Sequence, residues 1–390
     1  MSKTILIFSA QYIPHVGGVE VYTANLAKEI EKMGHHAIIV TNNLSALASY
    51  EKLDFGAEIY RLPCFPFING RLPLPRFNKQ RKQLLRELKT RSKDYVVINT
   101  RFYPHTFTGV RIAESANIKP IVIDHGSAYL TFGNKALDLL VKAYEQTITH
   151  FLKKHPIDFY AVSQKSLEWL TTFRIKGKGI LSNSIDANLF SSQSSKRNFR
   201  SEFNIKDTDF VISFIGRFIP EKGVVALMEC AKKLQDHTDI YFLFAGNGPL
   251  TTSIKDCNLN NVHLLGRIDS TDVAALLETS DCFCLPSRSE GFSTSLLEAA
   301  ACKTTSIITR VGGVDELIPT NDYGIVLNNT LPETISEAIL MLYENQDRNK
   351  NMAENIYQKV VNEFSWAATT EKVLSACKQA NQTKNSIVNS

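Results

Sequence analysis

Lys3-Thr-Ile-Leu-Ile-Phe8 is a short apolar run near the start of the chain, and together with the residues up to Val40 it decides the fold. A glycine turn comes next, and Val19 to Lys32 then carries Val21, Tyr22, Leu26 and Ile30 at helical spacing. Gly34 supplies a helix stop, and Ala37-Ile-Ile-Val40 is a second apolar run. Strand, turn, helix and strand in that order make one unit of a Rossmann-like parallel sheet, because a crossover helix returns the chain so that both strands run the same way.

The alternation continues on both sides of a polar stretch. Tyr95-Val-Val-Ile98, Pro120-Ile-Val-Ile123, Phe159-Tyr-Ala-Val162 and Gly179-Ile-Leu181 read as further strands. They run into polar or glycine-rich residues such as Asn99, Asp124-His-Gly-Ser127 and Ser163. Open parallel sheets bind ligands outside the carboxyl ends of their strands, where those residues lie. Asn188 to Asp209, rich in Ser, Asn, Lys and Arg, reads as a connector. The pattern then restarts with Phe210-Val-Ile-Ser-Phe-Ile215, and Glu221-Lys-Gly223 is expected to open a helix through Leu234. Ile240-Tyr-Phe-Leu-Phe244, Val262-His-Leu-Leu265, Asp281-Cys-Phe-Cys-Leu285 and Thr305-Ser-Ile-Ile308 complete a second α/β series. The fold class is therefore α/β, with two Rossmann-like domains.

Composition narrows the function. A chain of 390 residues, 44% hydrophobic and 21% charged, is long enough for two full-sized cores, and disorder is excluded. No apolar run exceeds six residues, against the roughly 20 a spanning helix needs, so a cytoplasmic chain is expected. Seven scattered cysteines include no CxxC pair, which disfavours a disulfide framework and a zinc ribbon; Cys282 and Cys284 read as buried strand thiols. The net charge of +5 is local: residues 71–93 hold nine Lys/Arg and one acid, and without that excess of eight the chain would carry −3. No nucleic-acid partner is expected from such a confined patch.

The patch has a reading of its own. Phe65-Pro-Phe-Ile68 and Leu72-Pro-Leu-Pro75 are apolar yet loop-like, and residues 78–90 read as a helix with Leu84, Leu85 and Leu88 on one side. Residues 65–93 together suit peripheral contact with an anionic membrane surface; leucines packed on the first sheet are the plainer alternative.

The clearest chemical constellation is Ser289-Glu290-Gly-Phe-Ser-Thr-Ser-Leu-Leu-Glu298. A helix starting near Ser293 or Thr294, capped by either hydroxyl, would put Glu290 in the preceding loop and Glu298 one turn in. Both carboxylates could then reach one ligand. Arg217 and Lys222, five apart after a strand, can converge on one anionic group or stand as a solvated loop pair. Gly17 and Gly18 lack a Cβ, which suits either close approach to their backbone amides or a plain tight turn. Asp207-Thr-Asp209 imitates a metal-binding DxD but precedes a strand, and reads as a turn.

Taken in order, Pro14-His-Val-Gly-Gly-Val-Glu20, Asn183-Ser-Ile-Asp186 with Phe190, Gly216-Arg-Phe-Ile-Pro-Glu-Lys-Gly223 and Glu290-x7-Glu298 resemble the family-4 retaining glycosyltransferases of GT-B architecture, in which two Rossmann-like domains face each other across a deep cleft. Ser184 stands where that family usually has Gly. The resemblance implies an N-terminal acceptor domain over 1–187, a connector over 188–209, a nucleotide-sugar domain over 210–364, and a helix over 365–381 crossing back. It implies that Gly17, Gly18, Arg217 and Lys222 hold the donor diphosphate and that Glu298 binds the ribose. Glu290 would contact the donor sugar or support its developing positive charge. The segment Gly266-Arg-Ile268 would meet the base, although Ile268 suits core packing nearly as well. By the same resemblance His125, with a polarising or positioning role, lies beside donor sugar and acceptor hydroxyl; a structural histidine is the alternative. The implied activity is metal-independent, retaining transfer of a hexosyl unit from a nucleotide-diphosphate sugar, chiefly UDP-linked, with no cofactor. The implied acceptor is a glycan or lipid-linked oligosaccharide of cell-surface polysaccharide synthesis, at the inner face of the membrane. A non-catalytic nucleotide-sugar-binding protein and a nucleotide-sugar epimerase are the competing readings.

Overall fold

A computed structural model describes residues 2–15, 17–68, 70–130 and 135–388, with side chains through 383. The chain divides into two compact units, residues 1–183 with 366–390 and residues 184–365.

The first unit begins with β1 (Thr4–Phe8), α1 (Gly18–Lys32), β2 (His36–Asn43), β3 (Tyr50–Lys52), β4 (Glu58–Phe67), β5 (Leu72–Pro75) and α2 (Lys79–Thr90). It continues through β6 (Tyr95–Asn99), α3 (Pro104–Ser115), β7 (Ile121–Asp124), α4 (Lys135–Leu152), β8 (Asp158–Ala161) and α5 (Gln164–Thr171). Strand order is β3-β4-β2-β1-β6-β7-β8, with β5 on β4. β1, β2, β4, β6, β7 and β8 pair in parallel, while β3 and β5 are antiparallel to β4. Ile5 to Phe8 are fully buried, as a central parallel strand covered on both faces must be.

Two expectations change here. Phe65-Pro-Phe67 and Leu72-Pro-Leu-Pro75 are not loops but an antiparallel hairpin, β4 with β5. The prolines are tolerated because β5 is an edge strand needing few amide donors. Gly179-Ile-Leu181 forms only an isolated bridge, Ile180 to Ala161. The helix expected over 78–90 is α2, with Asn78 accepting the Arg81 amide as its cap. Leu84 and Leu88 enter the core, so the amphipathic face of α2 is spent on packing.

The second unit comprises α6 (Ala187–Ser192), α7 (Phe199–Glu202), β9 (Phe210–Ile215), α8 (Val224–Lys233), β10 (Ile240–Ala245), α9 (Thr251–Asp256), β11 (Val262–Gly266) and α10 (Ser270–Thr279). β12 (Cys282–Leu285), α11 (Thr294–Ala301), β13 (Thr305–Thr309), α12 (Val314–Leu317), β14 (Ile325–Leu327), α13 (Pro332–Glu344) and α14 (Gln346–Glu363) complete it. Its sheet is wholly parallel, in the order β11-β10-β9-β12-β13-β14. Residues 188–209 are more ordered than a connector: they include α7, whose Phe199 is fully buried in this unit's core. The last helix, α15 (Trp366–Val388), belongs to the first unit, where Trp366 meets Tyr22 edge-on and the Asn381 side chain accepts the Lys119 amide at 2.9 Å.

Candidate functional site

In the second unit the polar residues gather at the carboxyl ends of β9, β10, β11 and β12. After β9 the chain makes a 3-10 turn, Pro220–Lys222, and Gly223 adopts a left-handed φ of 71° before α8. The helix expected to start at Glu221 is therefore interrupted by one turn. Glycine is required at two places here. A Cβ on Gly223 would lie 1.9 Å from the Pro286 carbonyl, and one on Gly246 (φ 146°) would lie 1.8 Å from the Gly216 carbonyl. These contacts press the loops after β9, β10 and β12 together.

Lys222 pairs with Glu290 at 2.5 Å, and Ser287 Oγ lies 3.0 Å from Glu290 Oε1 and 3.0 Å from the Glu221 carbonyl, with one proton to give. Thr309 donates to the Ser287 carbonyl, and the Gly312 amide donates to the Glu290 carbonyl at 3.2 Å. Lys222 thus meets Glu290 within the protein, whereas Arg217 is exposed. α11 begins at Thr294 with Ser293 as its cap residue, but no side-chain capping bond forms. The Ser293 amide donates to the Gly312 carbonyl at 3.1 Å. The Glu298 carboxyl makes no hydrogen bond or ion pair among the described residues, and desolvation by the surrounding protein pushes its pKa up to about 7. Ile268 packs against the core cluster holding Leu243, Ala245 and Leu276, so its side chain is occupied and only its backbone remains for a ligand.

In the first unit Gly17 caps α1 and Gly18 begins it. Gly17 has extended backbone geometry, and a Cβ there would meet only the far end of the Glu20 side chain. A Cβ on Gly18 would have nothing within 4 Å among the described residues. The protein's own packing therefore does not demand glycine at Gly18.

His125 follows β7 and is tied into a chain of hydrogen bonds whose direction can be worked out. Thr23 Oγ1 donates to the Val19 carbonyl at 2.8 Å, so it accepts from Asn99 Nδ2, also at 2.8 Å. That fixes Asn99 Oδ1 toward His125 Nε2, at 3.0 Å, as an acceptor. Nε2 must then carry the proton, which leaves Nδ1 as the ring's acceptor. Tyr22 packs edge-on to the ring at 4.9 Å between centroids. Burial lowers the pKa of His125 to about 3, so it is neutral at physiological pH.

Beneath it, Arg101 is buried between Asp124 (3.2 Å) and Glu145 (3.1 Å) with its guanidinium 3.6 Å from the Phe173 ring centre. Burial raises the pKa of both acids, and one buried cation serves two carboxyls. Arg101, Glu145 and Ser287 carry no local sequence signal. Asn99 is visible only as a polar strand end, because its partners lie 76 and 26 residues away. Among the described residues there is no cluster of three or more His, Cys, Asp or Glu placed to hold a metal. Asp209 accepts the Lys206 amide within its turn.

Two α/β units, the first sheet parallel apart from β3 and β5 and the second wholly parallel, each with polar loops at the strands' carboxyl ends, are the two Rossmann-like units of a GT-B fold. Solved structures share the fold: a glycosyltransferase from Rickettsia africae (TM-score 0.76, 21% identity, covering 97% of this chain and 98% of that one), and the HepE protein of Anabaena in complex with UDP-glucose (TM-score 0.70, 17% identity, 97% and 100%). An uncharacterized glycosyltransferase of Methanocaldococcus jannaschii is 25% identical over 383 residues, 94% of this chain and 96% of its own. Residues 16–212 match Glycosyltransferase Family 4 and residues 195–359 match Glycosyl transferases group 1. The chain belongs to Glycosyltransferase Family 4.

Proposed function

We propose that the protein transfers a hexosyl unit, with retention, from a nucleotide-diphosphate sugar to a glycan or lipid-linked acceptor of cell-surface polysaccharide synthesis. The single observation that carries this is the second unit's glycine-pressed loop set, in which Lys222 from the loop after β9, which also carries Arg217, meets Glu290 from the loop after β12. UDP is the favoured nucleotide, in keeping with the ligand of the Anabaena protein.

In this reading Arg217 and Lys222 take the diphosphate, aided by amides at Gly17 and Gly18. Glu298 accepts hydrogen bonds from the ribose hydroxyls, and the backbone of Ile268 meets the base. Displacement of Lys222 from Glu290 by the phosphates would leave the negative charge of that carboxylate to answer the positive charge developing on the sugar. His125 offers Nδ1 to a donor or acceptor hydroxyl and stays neutral while doing so. The bond from the anomeric carbon to the leaving phosphate oxygen breaks, the acceptor oxygen bonds on the same face, and its proton passes to the departing phosphate. The cations supply the charge stabilisation otherwise asked of a metal. No helix among the described residues is long and apolar enough to cross a membrane. The basic residues of 65–93 and the apolar side chains beside them support peripheral approach to a lipid-linked acceptor on an anionic membrane.

Thermal shift and hydrolysis with UDP-, GDP-, ADP- and TDP-sugars, with and without EDTA, test this reading. Stabilisation by one donor class with slow, EDTA-insensitive nucleotide release is expected. No stabilisation by any donor would overturn it, and a metal requirement would overturn its metal-free step.

A further inference from the structure

α4 carries one unusual stripe. Leu137, Leu140, Val141, Tyr144 and Ile148 follow helical spacing along one face, and instead of meeting a neighbouring element throughout they line two hollows. Toward the helix start, between α4 and the β4–β5 hairpin, is a cavity of about 310 Å³, at the lower end of the range of small-molecule sites. Its wall is apolar apart from Arg71 at its edge, because its other polar groups are consumed. Tyr144 donates its hydroxyl to the Phe102 carbonyl at 2.9 Å, and Glu145 is held by Arg101 and by the Leu130 amide. The hollow therefore suits an apolar occupant.

One turn further along, at Ile148, the same stripe borders a second hollow of about 510 Å³ between α2 and α3. This one is cationic: Arg81, Lys82, Arg86, Lys89 and Arg111 line it, and no acidic side chain does. Clustering like charges is unfavourable unless an anion answers them. Arg81 is nearly fully buried, with its two terminal nitrogens on the Pro63 carbonyl and Thr108, while its Nε is buried without a partner. Around the two hollows large apolar side chains stand in solvent: Phe67, Phe77, Leu139 and Leu140 are 53%, 83%, 68% and 67% exposed. Isolated exposed residues are ordinary, but a group of this size beside a cationic hollow marks an interaction surface.

Apolar hollow, cationic hollow and exposed apolar rim along one helix match one amphiphile. We propose that the first unit binds a single anionic phospholipid drawn from the bilayer, one acyl chain entering the hollow beside Val141 and the phosphate lying against Arg86 and Arg111. This deepens the peripheral membrane contact proposed above and rests on it for the source of the lipid. It also shifts that contact, since Leu84 and Leu88 of α2 are buried and the exposed apolar groups belong to the hairpin, to Phe77 before α2 and to α4.

The full chain, wild type and Val141→Trp, is titrated calorimetrically with monomeric dihexanoyl-phosphatidylglycerol and with inorganic phosphate, and cosedimented with phosphatidylglycerol or phosphatidylcholine vesicles. Val141→Trp adds apolar volume, so a merely sticky surface would bind vesicles more tightly, whereas a filled hollow excludes the chain. The expected result is one short-chain lipid per protein, weakened about tenfold or more by Val141→Trp. Val141→Phe, a smaller filling, should give an intermediate loss if the larger residue perturbs folding by circular dichroism. Equal affinity of wild type and both variants for the monomeric lipid would overturn the inference, even with vesicle binding intact. Phosphate binding as tightly as the lipid would overturn it too, by showing a free-anion site. Lipid monomer binding without vesicle binding would uphold the pocket and remove the membrane contact.

Discussion

At the ends of β9 and β12 the second unit places charges: Arg217, Lys222 against Glu290, and Glu298 with a raised pKa. At the ends of β6 and β7 the first unit buries its charges, Arg101 against Asp124 and Glu145, and beside them sets neutral groups, Asn99 and a histidine held uncharged, joined by a directional hydrogen-bond chain to the start of α1. The glycines differ in the same way. Gly223 and Gly246 are demanded by their own protein's carbonyls, whereas a Cβ on Gly18 would have nothing within 4 Å among the described residues. Under the proposed function the contrast separates residues that pack loops from residues that meet a ligand, and binding, which charge favours, from positioning, which a fixed tautomer favours.

The largest expected effect breaks the packing side of this contrast. Gly246→Ala should destabilise the second unit by about 3 kcal/mol or more, since the φ and the Gly216 carbonyl both oppose a side chain. Gly18→Ala should leave stability within about 0.5 kcal/mol. If bare backbone there meets phosphate, it should still reduce donor turnover. Thermal melts beside turnover assays read both variants.

Glu298→Gln should weaken donor binding by about 1.5–3 kcal/mol, the worth of hydrogen bonds to a charged group. It should also stabilise the unliganded protein above neutrality. The sign comes from the raised pKa: between about 4.5 and 7 the folded state holds the proton more firmly than the unfolded state, so folding stability falls as pH rises through that window. Glutamine removes that fall. Melting curves from pH 5 to 8.5 test it.

Smaller and subtler is Asn99→Asp. A carboxylate beside Nε2 favours the charged ring, so the His125 pKa should rise and a new limb should enter the pH–turnover profile. Asn99→Leu should lower turnover without that limb. Nitrogen NMR of labelled histidine in wild type should show the Nε2–H tautomer. For His125 itself the lowered pKa means that stability is lost as pH falls below the ordinary histidine value, because the unfolded chain takes up the proton first. His125→Gln should flatten that acid limb.

How far each site was legible depends on the same contrast. The second unit's residues sit in runs that each come after one strand, so Gly216 to Gly223 and Glu290 to Glu298 can be read locally, as can the parallel order of the sheet. Ser293 was legible as a cap position, but its hydroxyl makes no capping bond, and the tie of its amide to the distant Gly312 carbonyl has no local signal. The first unit's relay joins Thr23, Asn99 and His125 across three elements, and Arg101 meets Glu145 from 44 residues away. Nothing in a local window announces such partners. The hairpin at residues 65–75 was hidden by its prolines, which an edge strand accommodates.

The measurement that bears most directly on the division between binding and positioning compares His125→Ala and Arg217→Ala with wild type for UDP-sugar affinity and for consumption of bound donor. His125→Ala is expected to bind donor nearly as wild type yet consume it about 100-fold more slowly, and Arg217→Ala is expected to lose affinity. Unchanged donor consumption by His125→Ala, or unchanged affinity in Arg217→Ala, would contradict the account.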